Sequence, residues 1–306
     1  SYWDFNVFSG STIGKADQGY GSSFVGASGA VGNAWFSSMG LRTDAAASPS
    51  LPMGFYGGGD FTLSGGVHHG GVFAAGDVTL NNASIAGGLD AGGNLAGAGG
   101  SITGDARLGG KKLAGNAVSV SGALSTKQTV DAPVDLKAAK SYFLALSESV
   151  REKAPTTMYS NQWGNLVIKA SEPVSYVDIS KSDFQGAWGV SISGSGTVVV
   201  NVIGDGFSFG SKTWTYSDGA SAGTTLLNFA DATSITMSGS QTVNLLAPKA
   251  AMSFSGGTIT GNLIVGSLVG SGSAAWNGGF QASETISEAK QRKVRVVRWR
   301  EVPIGE

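Results

Sequence analysis

A corner-and-strand unit repeats between residues 57 and 125, as Gly59-Asp60-Phe61-Thr62-Leu63, Gly76-Asp77-Val78-Thr79-Leu80, Gly93-Asn94-Leu95, Gly104-Asp105-Ala106-Arg107-Leu108 and Gly115-Asn116-Ala117-Val118-Ser119-Val120. The first residues of successive copies lie 17, 17, 11 and 11 residues apart. Gly-Asp and Gly-Asn tolerate the positive φ of a tight corner, and the residues that follow alternate as in a short strand. One such unit cannot bury its apolar edge alone, whereas stacked copies can. The repeat therefore predicts a β-solenoid.

Repetition resumes after residue 190 in a more hydrophobic form. The β-rich segments are bounded by Gly, Ser, Asp or Pro, and they are Gly196-Thr197-Val198-Val199-Val200-Asn201-Val202, Thr224-Thr225-Leu226-Leu227-Asn228-Phe229, Ser234-Ile235-Thr236-Met237, Thr242-Val243-Asn244-Leu245-Leu246 and Gly261-Asn262-Leu263-Ile264-Val265. Strands this short and numerous are typical of solenoid coils rather than of long hairpins. We predict an all-β fold, a parallel β-helix-like solenoid with a single elongated body. Within it, Asn201, Asn228 and Asn244 either stack as an inward amide ladder or sit at corners satisfied by backbone.

One segment breaks the β rhythm. From Asp135 to Lys153 the apolar positions advance by three, four, three and four residues, at Leu136, Ala139, Phe143, Leu146 and Val150. This spacing places them on one stripe of an α-helix. Asp135 is the expected N-cap, and Ala154-Pro155 ends the run. We predict a flanking helix at 135–153 that leaves the solenoid and packs back along one side.

Composition excludes several classes of protein. The 306 residues include no Cys, which removes disulfide scaffolds, thiol catalysis, iron–sulfur clusters and Cys-based zinc sites. The 20 basic and 21 acidic residues nearly balance, so nucleic acid is not an expected partner. No apolar stretch approaches the length of a membrane-spanning helix, and no cofactor is expected. We predict a secreted, extracellular or cell-surface protein, with Ser1 as a processed end.

The end of the chain differs from the rest. Six of the 20 basic residues lie between Lys290 and Arg300, a stretch with no acidic residue. Val294, Val296, Trp299 and Val302 are interleaved with these cations, which indicates an alternating strand over about 290–303. The sequence thus predicts a solenoid body over 1–283 and a basic C-terminal tail over 284–306.

The order of segments resembles the choice-of-anchor A domain of bacterial surface proteins. The resemblance rests on Phe5-Asn6-Val7-Phe8, Gly71-Val72-Phe73-Ala74-Ala75-Gly76-Asp77-Val78-Thr79-Leu80, the runs 198–204 and 226–232, Asn244-Leu245-Leu246-Ala247-Pro248-Lys249-Ala250, and 259–268. It covers about residues 2 to 280. The resemblance implies a secreted, non-enzymatic, adhesin-like surface module that is usually followed by an envelope anchor. No anchor signal follows here, so we expect either removal of an anchor during maturation or another means of retention.

Candidates for catalysis and for metal binding are few. His68 and His69 are the only histidines, and as neighbours on a strand they would point to opposite faces, so we predict an exposed turn rather than a metal site. The carboxylates of Asp60, Asp77, Asp105 and Asp205 follow glycines at corners, where capping a turn explains them without glycoside cleavage or calcium binding. We predict no enzyme, and no catalytic, cofactor or metal residues. Regular Thr-x-Thr ranks, which favour ice binding, are missing as well.

The tail is the main lead to function. A solenoid has open ends that associate unless they are capped. A detachable strand could pair with an edge on a neighbouring copy and build a head-to-tail homopolymer, or it could cap its own solenoid. The residues predicted to mediate assembly are Lys293, Val294, Arg295, Val296, Arg298, Trp299 and Arg300. The N-terminal aromatics Tyr2, Trp3, Phe5 and Phe8 are either the receiving end or core of the first coil.

The sequence therefore predicts an extracellular structural or adhesive protein. We expect a subunit of a surface fibre, sheath or biofilm matrix, assembled by strand and end-to-end contacts, with cell-surface or matrix polysaccharide as a further partner. A first alternative is a monomeric adhesin that binds glycans through exposed Trp163, Trp188 and Trp214. A second is a polysaccharide-cleaving β-helix enzyme.

Overall fold

The computed structural model describes residues 1–44, 46–281, 283 and 286. Short strands occupy the chain before the long helix. They are β1 (Val7–Ser9), β2 (Ser23–Phe24), β3 (Ser28–Ala30), β4 (Ala34–Leu41), β5 (Met53–Gly57), β6 (Phe61–His68), β7 (Gly71–Ala74), β8 (Val78–Ile85), β9 (Leu89–Ala91), β10 (Leu95–Ile102), β11 (Ala106–Leu108), β12 (Val118–Val120) and β13 (Leu124–Ser125).

The second half begins with the long helix and continues with strands. These elements are α1 (Leu136–Arg151), β14 (Tyr159–Gln162), β15 (Asn165–Lys169), β16 (Val174–Ser180), α2 (Lys181–Gly186), β17 (Gly189–Ser193), β18 (Thr197–Ile203), β19 (Phe207–Gly210), β20 (Thr213–Ser217), β21 (Thr225–Asn228), β22 (Ser234–Ser238), β23 (Asn244–Phe254), β24 (Thr258–Thr260), β25 (Leu263–Gly270) and β26 (Ser273–Ala275). Short 3-10 helices cover Tyr2–Asp4 and Ala222–Thr224.

The strands stack as coils of a β-solenoid, as predicted, and they pair in parallel except for the antiparallel pair β14–β15. The largest sheet has the order β13-β11-β9-β7-β5-β3-β1-β25-β23-β21-β18-β16. The first half of the chain thus runs outward from β1 to β13, and the second half runs inward from β16 to β25. The two halves meet where β1 pairs with β25 on one edge and with β3 on the other, with Val7 opposite Leu263 and Ser28. We call this junction the seam.

The seam changes what lies at the ends of the solenoid. In the large sheet the outermost strands are β13 and β16, both formed by internal segments of the chain. The N-terminal strand β1 lies in the middle of the stack instead. From the sequence, the N-terminal residues were one candidate for an open end of the solenoid. Nothing in the sequence indicates that the second half of the chain pairs back onto β1.

Each coil turns through three sides. In β4 the buried residues alternate as far as Phe36 and resume at Met39, and the shift falls at Ser38, whose φ is +52°. β8 bends in the same way at Asn82, with φ of +51°. One residue in the left-handed region reverses the in–out alternation, so a single long strand covers two sides. The twelve strands in the order given above form the third side, which faces α1 and which we call the helix side. The same sheet continues onto a neighbouring side through β19, β22 and the far ends of β23 and β25.

The repeated Gly-Asp and Gly-Asn corners are linked from coil to coil. A side-chain oxygen of Asn33, Asp60 and Asp77 accepts the backbone N–H of the equivalent residue one coil further, at 2.9, 2.8 and 2.6 Å. Asn94 does the same for the N–H of Lys111 at 3.1 Å. The corner residues therefore satisfy backbone donors that the turns leave unpaired.

The helix has the predicted cap and buried stripe. Asp135 accepts a hydrogen bond from the N–H of Ala138, and the five predicted apolar positions are buried. The Phe143 ring lies 5.1 Å from that of Trp3 and 5.4 Å from that of Phe8, measured between centroids. The helix therefore covers outward apolar residues of the helix side, on both sides of the seam.

The buried asparagines combine the two arrangements considered from sequence, an amide ladder and hydrogen bonds to the backbone. Asn201 and Asn228 form a ladder at 2.9 Å, but it faces α1, where their amides donate to the carbonyls of Val150 and Ser147. Asn244 belongs to a separate column at the seam, and its side-chain oxygen accepts the N–H of Asn262 at 3.0 Å. Buried amides are costly unless paired, and here each bonds to backbone.

Candidate functional site

A flat array of small residues covers one side of the second half of the solenoid. It is built by β19, β22, the end of β23 and β25, whose inward residues such as Ile235, Met252 and Leu268 are buried in the core. The alternate residues point outward, and we call this set the serine face: Ser208, Gly210, Ser234, Thr236, Ser238, Ala251, Ser253, Ser255, Ser267, Val269 and Ser271. The local sequence causes this, because small polar residues alternate with large apolar ones.

Pairing aligns the serine face into ranks. Ser208 lies opposite Thr236, Thr236 opposite Ser253, and Ser253 opposite Val269. A second rank follows from Ser234 to Ala251 and on to Ser267. Neighbouring strands lie about 4.8 Å apart and alternate residues about 6.6 Å apart along a strand. The serine face is thus a regular two-dimensional grid held on a rigid sheet.

The chemistry of the serine face is uniform. It carries no charged residue, and none of its eight hydroxyls makes a hydrogen bond to another described residue. The nearby charges lie at its margins. Lys249 pairs with Glu148 at 3.1 Å on the margin towards α1, and Lys181 donates to the Asp205 carbonyl at 2.6 Å on the margin beside Ser234. Asp205, also marginal, has its pKa lowered by hydrogen bonds from Thr233. The hydroxyls are therefore free to donate to and accept from an external partner.

The same side continues into the first half with different residues. The outward rank runs through Trp35, Thr62 and Thr79, which lie opposite one another in β4, β6 and β8. The turn at 14–19 separates this rank from the serine face. Ile13 pairs with Ala34 and Tyr20 with Phe36, so six residues of the turn stand opposite the single residue Trp35. Gly14 has a φ of +74°, and a Cβ there would lie 2.2 Å from the Trp35 carbonyl oxygen.

Sequence reasoning missed the serine face, although a signal is present. Ser234-Ile235-Thr236-Met237-Ser238 returns as Ala251-Met252-Ser253-Phe254-Ser255 and as Ser267-Leu268-Val269-Gly270-Ser271, at steps of 17 and 16 residues. Thr-x-Thr ranks are missing because the outward positions are mainly serine. The pattern that marks this face is any small residue alternating with a large apolar one.

The residues predicted to mediate assembly fall into two groups. Lys293, Val294, Arg295, Val296, Arg298, Trp299 and Arg300 lie outside the described residues, and their role stays a prediction. Of the N-terminal group, Tyr2 is half-buried, while Trp3 and Phe5 are buried beneath α1 near the seam. They are thus buried between α1 and the outer surface of the large sheet rather than in the interior of the first coil, and their role as a receiving end stays a prediction.

The three tryptophans of the glycan-binding alternative are not equivalent. Trp163 is 99% exposed and Trp188 is 56% exposed, both near the end of the solenoid formed by β14. Trp214 instead packs against the core and donates its indole N–H to Gln241 at 2.8 Å. The structure therefore does not bring the three rings together on one exposed surface.

The candidate catalytic carboxylates act as corner caps. Asp60, Asp77 and Asp105 each accept a backbone N–H from the next coil. Asp205 accepts from the N–H of Thr233 at 2.6 Å. Among the described residues, no group of three or more His, Asp or Glu is placed to hold a metal ion. The four aspartates therefore cap turns of the solenoid, which is the role that their position after glycine predicted.

Two titratable side chains are buried away from the serine face. His68 is fully buried, so the prediction of an exposed turn is wrong for it, while His69 is exposed. Burial lowers the pKa of His68 to about 4. Lys212 is also buried; its Nζ donates to the Ala187 carbonyl at 2.6 Å and lies 4.6 Å from the centre of the Phe184 ring. Burial lowers the pKa of Lys212 to about 8.

Comparison with known proteins gives the class of the chain. Residues 3–276 match a family described as "Putative Ice-binding-like adhesive domain". The chain belongs to this family. The match confirms the adhesin-like class that the resemblance to the choice-of-anchor A domain implied, while that particular family stays a prediction. Membership in this adhesive domain family indicates surface binding and an extracellular or surface location.

Two further comparisons add little about function. The comparison with curated proteins finds no match. Among solved structures, an ice binding protein from an Antarctic bacterium, Flavobacteriaceae, has 12% sequence identity and a TM-score of 0.27, over 92% of this chain and 98% of that chain. A TM-score this low establishes no shared function for the adhesive domain. Within the described residues of the domain, no helix is long and apolar enough to span a membrane.

Proposed function

We propose that this chain is an extracellular adhesive module whose serine face binds an extended, ordered, uncharged surface that presents hydroxyl groups. The observation that carries the proposal is the charge-free grid of small residues in register over four strands, eight of whose eleven residues bear a hydroxyl. A grid has no concave pocket for a small molecule, but it matches a partner that repeats in two dimensions. Membership in an adhesive domain family supports the same conclusion.

Physical chemistry favours a neutral, hydrogen-bonding partner. Each hydroxyl donates one hydrogen bond and accepts others, so a hydroxyl-bearing surface can pair with it in either sense. Hydroxyls cost far less to desolvate than charges, and small side chains lose little rotamer entropy on contact. Individual contacts are therefore weak, while many of them made together on a rigid sheet give useful affinity because little has to be ordered on binding.

Two surfaces present this chemistry. One is a crystalline or fibrillar neutral polysaccharide, which agrees with the glycan partner expected from sequence. The other is ice, whose surface is an ordered array of water hydroxyls. A binding role of this kind requires no catalytic group, and the four candidate aspartates already serve the corners. We therefore assign the module a non-enzymatic function.

The first test places a charge in the centre of the serine face. We expect Thr236→Lys to reduce binding by at least about tenfold, because the ammonium must be desolvated without a counter-ion against a neutral surface. Binding is measured as the fraction of protein retained on crystalline cellulose or chitin particles and, separately, as partition into slowly grown ice. The pair of assays tells which hydroxyl surface is recognised.

The matched control is Thr103→Lys, which makes the same change at an exposed threonine just after β10, away from the serine face. This variant should bind like the unaltered chain in both assays. Equal loss in both variants would indicate a general charge effect, and it would contradict the serine face as the binding surface. Retention of full binding by Thr236→Lys would contradict it too.

We further propose, as predicted from sequence, that the basic tail assembles copies into a fibre or matrix. The support is the contrast between the cationic stretch 290–300 and a body with more acidic than basic residues. Just before the tail, the chain is held against the middle of the solenoid. The Phe280 side chain is buried, and Gln281 donates its N–H to the Gly223 carbonyl at 2.8 Å. A chain ending at Ser283 loses the buried side chain of Ile286 but keeps these contacts, so we expect it to keep its fold.

Electron microscopy of the full chain beside the chain ending at Ser283 tests this second proposal. We expect regular filaments from the full chain and single particles from the shortened one, with the same circular dichroism spectrum for both. Single particles in both samples would end the fibre proposal while leaving the serine face untouched.

A further inference from the structure

The edge of the four-stranded sheet at one end of the solenoid is open. This sheet has the order β14-β15-β17-β20, so β14 is its outermost strand. The N–H of Ala170 donates to the Ser193 carbonyl, and the Gly164 carbonyl accepts the N–H of Trp188. The even-numbered residues of β15 and its flanks therefore direct their backbone N–H and carbonyl groups towards β17. Odd-numbered residues of β15 therefore bond β14, through Ser160 and Gln162, by the alternation of antiparallel pairs.

It follows that Tyr159 and Asn161 point their backbone groups outward. They lie opposite Ile168 and Leu166, which bond β17. No hydrogen bond from any other described segment reaches the backbone N–H or carbonyl of either residue. The strand itself is fixed in place, because the Tyr159 hydroxyl donates to Asp183 at 2.5 Å. Two donors and two acceptors thus face solvent from a rigid strand.

This edge lacks the features that usually prevent strand pairing. Ser160, Asn161 and Gln162 are exposed and uncharged, and the strand contains no proline. Natural sheets protect their edges with Lys, with Pro or with bulges. The opposite end of the solenoid is different, since Lys127 lies two residues after the end of β13. An unprotected edge of this kind is a template for another strand.

Both ends of β14 carry large exposed apolar side chains. Met158 is 85% exposed and Trp163 is 99% exposed. Trp163 occupies the first position of a two-residue turn with a φ of +55°, followed by Gly164 with a φ of +84°. Such turns normally take Asn-Gly, and a bulky aromatic in the left-handed region costs free energy. Strain retained at a fully exposed side chain indicates a function for that side chain.

We propose that β14 pairs antiparallel with β14 of a second copy of this chain and joins two solenoids end to end about a two-fold axis at Ser160. Of the registers that hydrogen bonding permits, this one places Tyr159 opposite Asn161 of the partner subunit, and the reverse, so that all the outward backbone groups are paired. An isologous contact needs a self-complementary surface, and a single symmetric strand supplies one.

The same register accounts for the exposed apolar residues. It sets Met158 beside the turn that carries Trp163 of the partner subunit, and two such contacts flank the paired strands. A flexible thioether packs well against an aromatic ring. Burying four exposed apolar side chains adds a hydrophobic term to the backbone bonds. This inference is independent of the serine face, which lies on another side of the solenoid.

The register gives a specific test by charge. In this pairing the two Ser160 side chains lie directly opposite each other, so Ser160→Lys alone and Ser160→Glu alone should both be monomers. An equimolar mixture of the two variants should form a heterodimer. Masses are measured by sedimentation velocity of the full chain from about 1 μM to about 1 mM. The charge variants are measured at about 0.1 M salt, where the charges at position 160 still act, and the unaltered chain also at about 1 M salt, where contacts of the basic tail are screened. The unaltered chain should be a dimer.

Two further variants separate pairing from folding. Trp163→Asn introduces the preferred turn residue, so it should keep or raise the unfolding midpoint while weakening the dimer at least tenfold. Ser125→Lys, a matched change in β13 at the opposite end, should leave the dimer intact. A monomeric unaltered chain over the whole concentration range overturns the proposal. A mixture of Ser160→Lys and Ser160→Glu that stays monomeric, or an undiminished Trp163→Asn dimer, overturns it as well.

Discussion

Replacing Asn262 by alanine is expected to lower the free energy of unfolding by about 5 kcal/mol, because three buried backbone groups lose their partner at about 1–3 kcal/mol each. The amide of Asn262 donates to the carbonyls of Trp3 and Phe5 at 2.8 and 2.6 Å. Its side-chain oxygen accepts the N–H of Phe280 at 2.7 Å. One fully buried side chain thus ties the N-terminal segment and residue 280 to the seam.

Urea unfolding followed by circular dichroism measures this effect. The matched control is Asn94→Ala, an amide at an exposed corner that accepts the N–H of Lys111. We expect that change to cost about 1 kcal/mol or less, because water can replace a lost bond at the surface. A similar small loss for both variants would show that the seam does not depend on Asn262.

The loss should also be cooperative across the two halves of the solenoid. β1 pairs with β25 on one edge and with β3 on the other, so opening the seam exposes edges on both halves. Hydrogen exchange of the backbone amides, measured against urea concentration separately for peptides of the first half and of the second half, follows unfolding on both sides of the seam. In the Asn262→Ala chain, a single shared transition would indicate that the remaining strand pairing still couples the halves.

The features that were predictable from sequence are local ones. The corners at Asp60 and Asp77 were recognisable because one Gly-Asp pair determines the turn and the cap together. The helix was recognisable because Phe143 and its four companions lie on one stripe, and Asp135 caps the first turn. In both cases the physics acts between residues that are close in sequence.

The features that were missed depend on contacts between distant segments. Asn244 and Asn228 occupy similar sequence contexts, yet one lies at the seam and the other faces α1, because coil order rather than local pattern decides it. The serine face was hidden for the same reason, since Ser208, Thr236 and Ser253 become one rank only when their strands pair. His68 is buried because the coil continues inward at the end of β6, where a turn was expected.

Acid is expected to destabilise the protein by about 3 kcal/mol between pH 6.5 and pH 4 through His68 alone. Burial lowers the pKa of this imidazole to about 4, and the positive charge of Arg42 acts in the same direction, whereas the hydrogen bond to the Gly71 carbonyl raises it. In the unfolded chain the imidazole titrates near 6.5. The unfolded state therefore binds the proton first as the pH falls, so stability is complete above pH 6.5 and declines until the folded state is protonated near pH 4.

The geometry explains why the folded state resists protonation. The Nε2 atom lies 3.0 Å from the Gly71 carbonyl, while Nδ1 finds no partner among the described residues. A second proton on the ring would thus be buried without an acceptor. The ring also sits so close to Gly54 that a Cβ there would lie 2.5 Å from its Cε1 atom, which leaves little room for a water.

The pH dependence of the urea midpoint tests this assignment. His68→Leu should be less stable at pH 7, since the Gly71 carbonyl loses its donor, but its stability should change by less than about 1 kcal/mol between pH 6.5 and pH 4. His69→Gln, a change at the exposed neighbour, should keep the full acid sensitivity. If His68→Leu loses stability on acidification as steeply as the unaltered chain, the acid sensitivity arises elsewhere. A flat profile in that variant alone would assign it to one buried imidazole, and would mean that this adhesive domain holds its solenoid least firmly in acid surroundings.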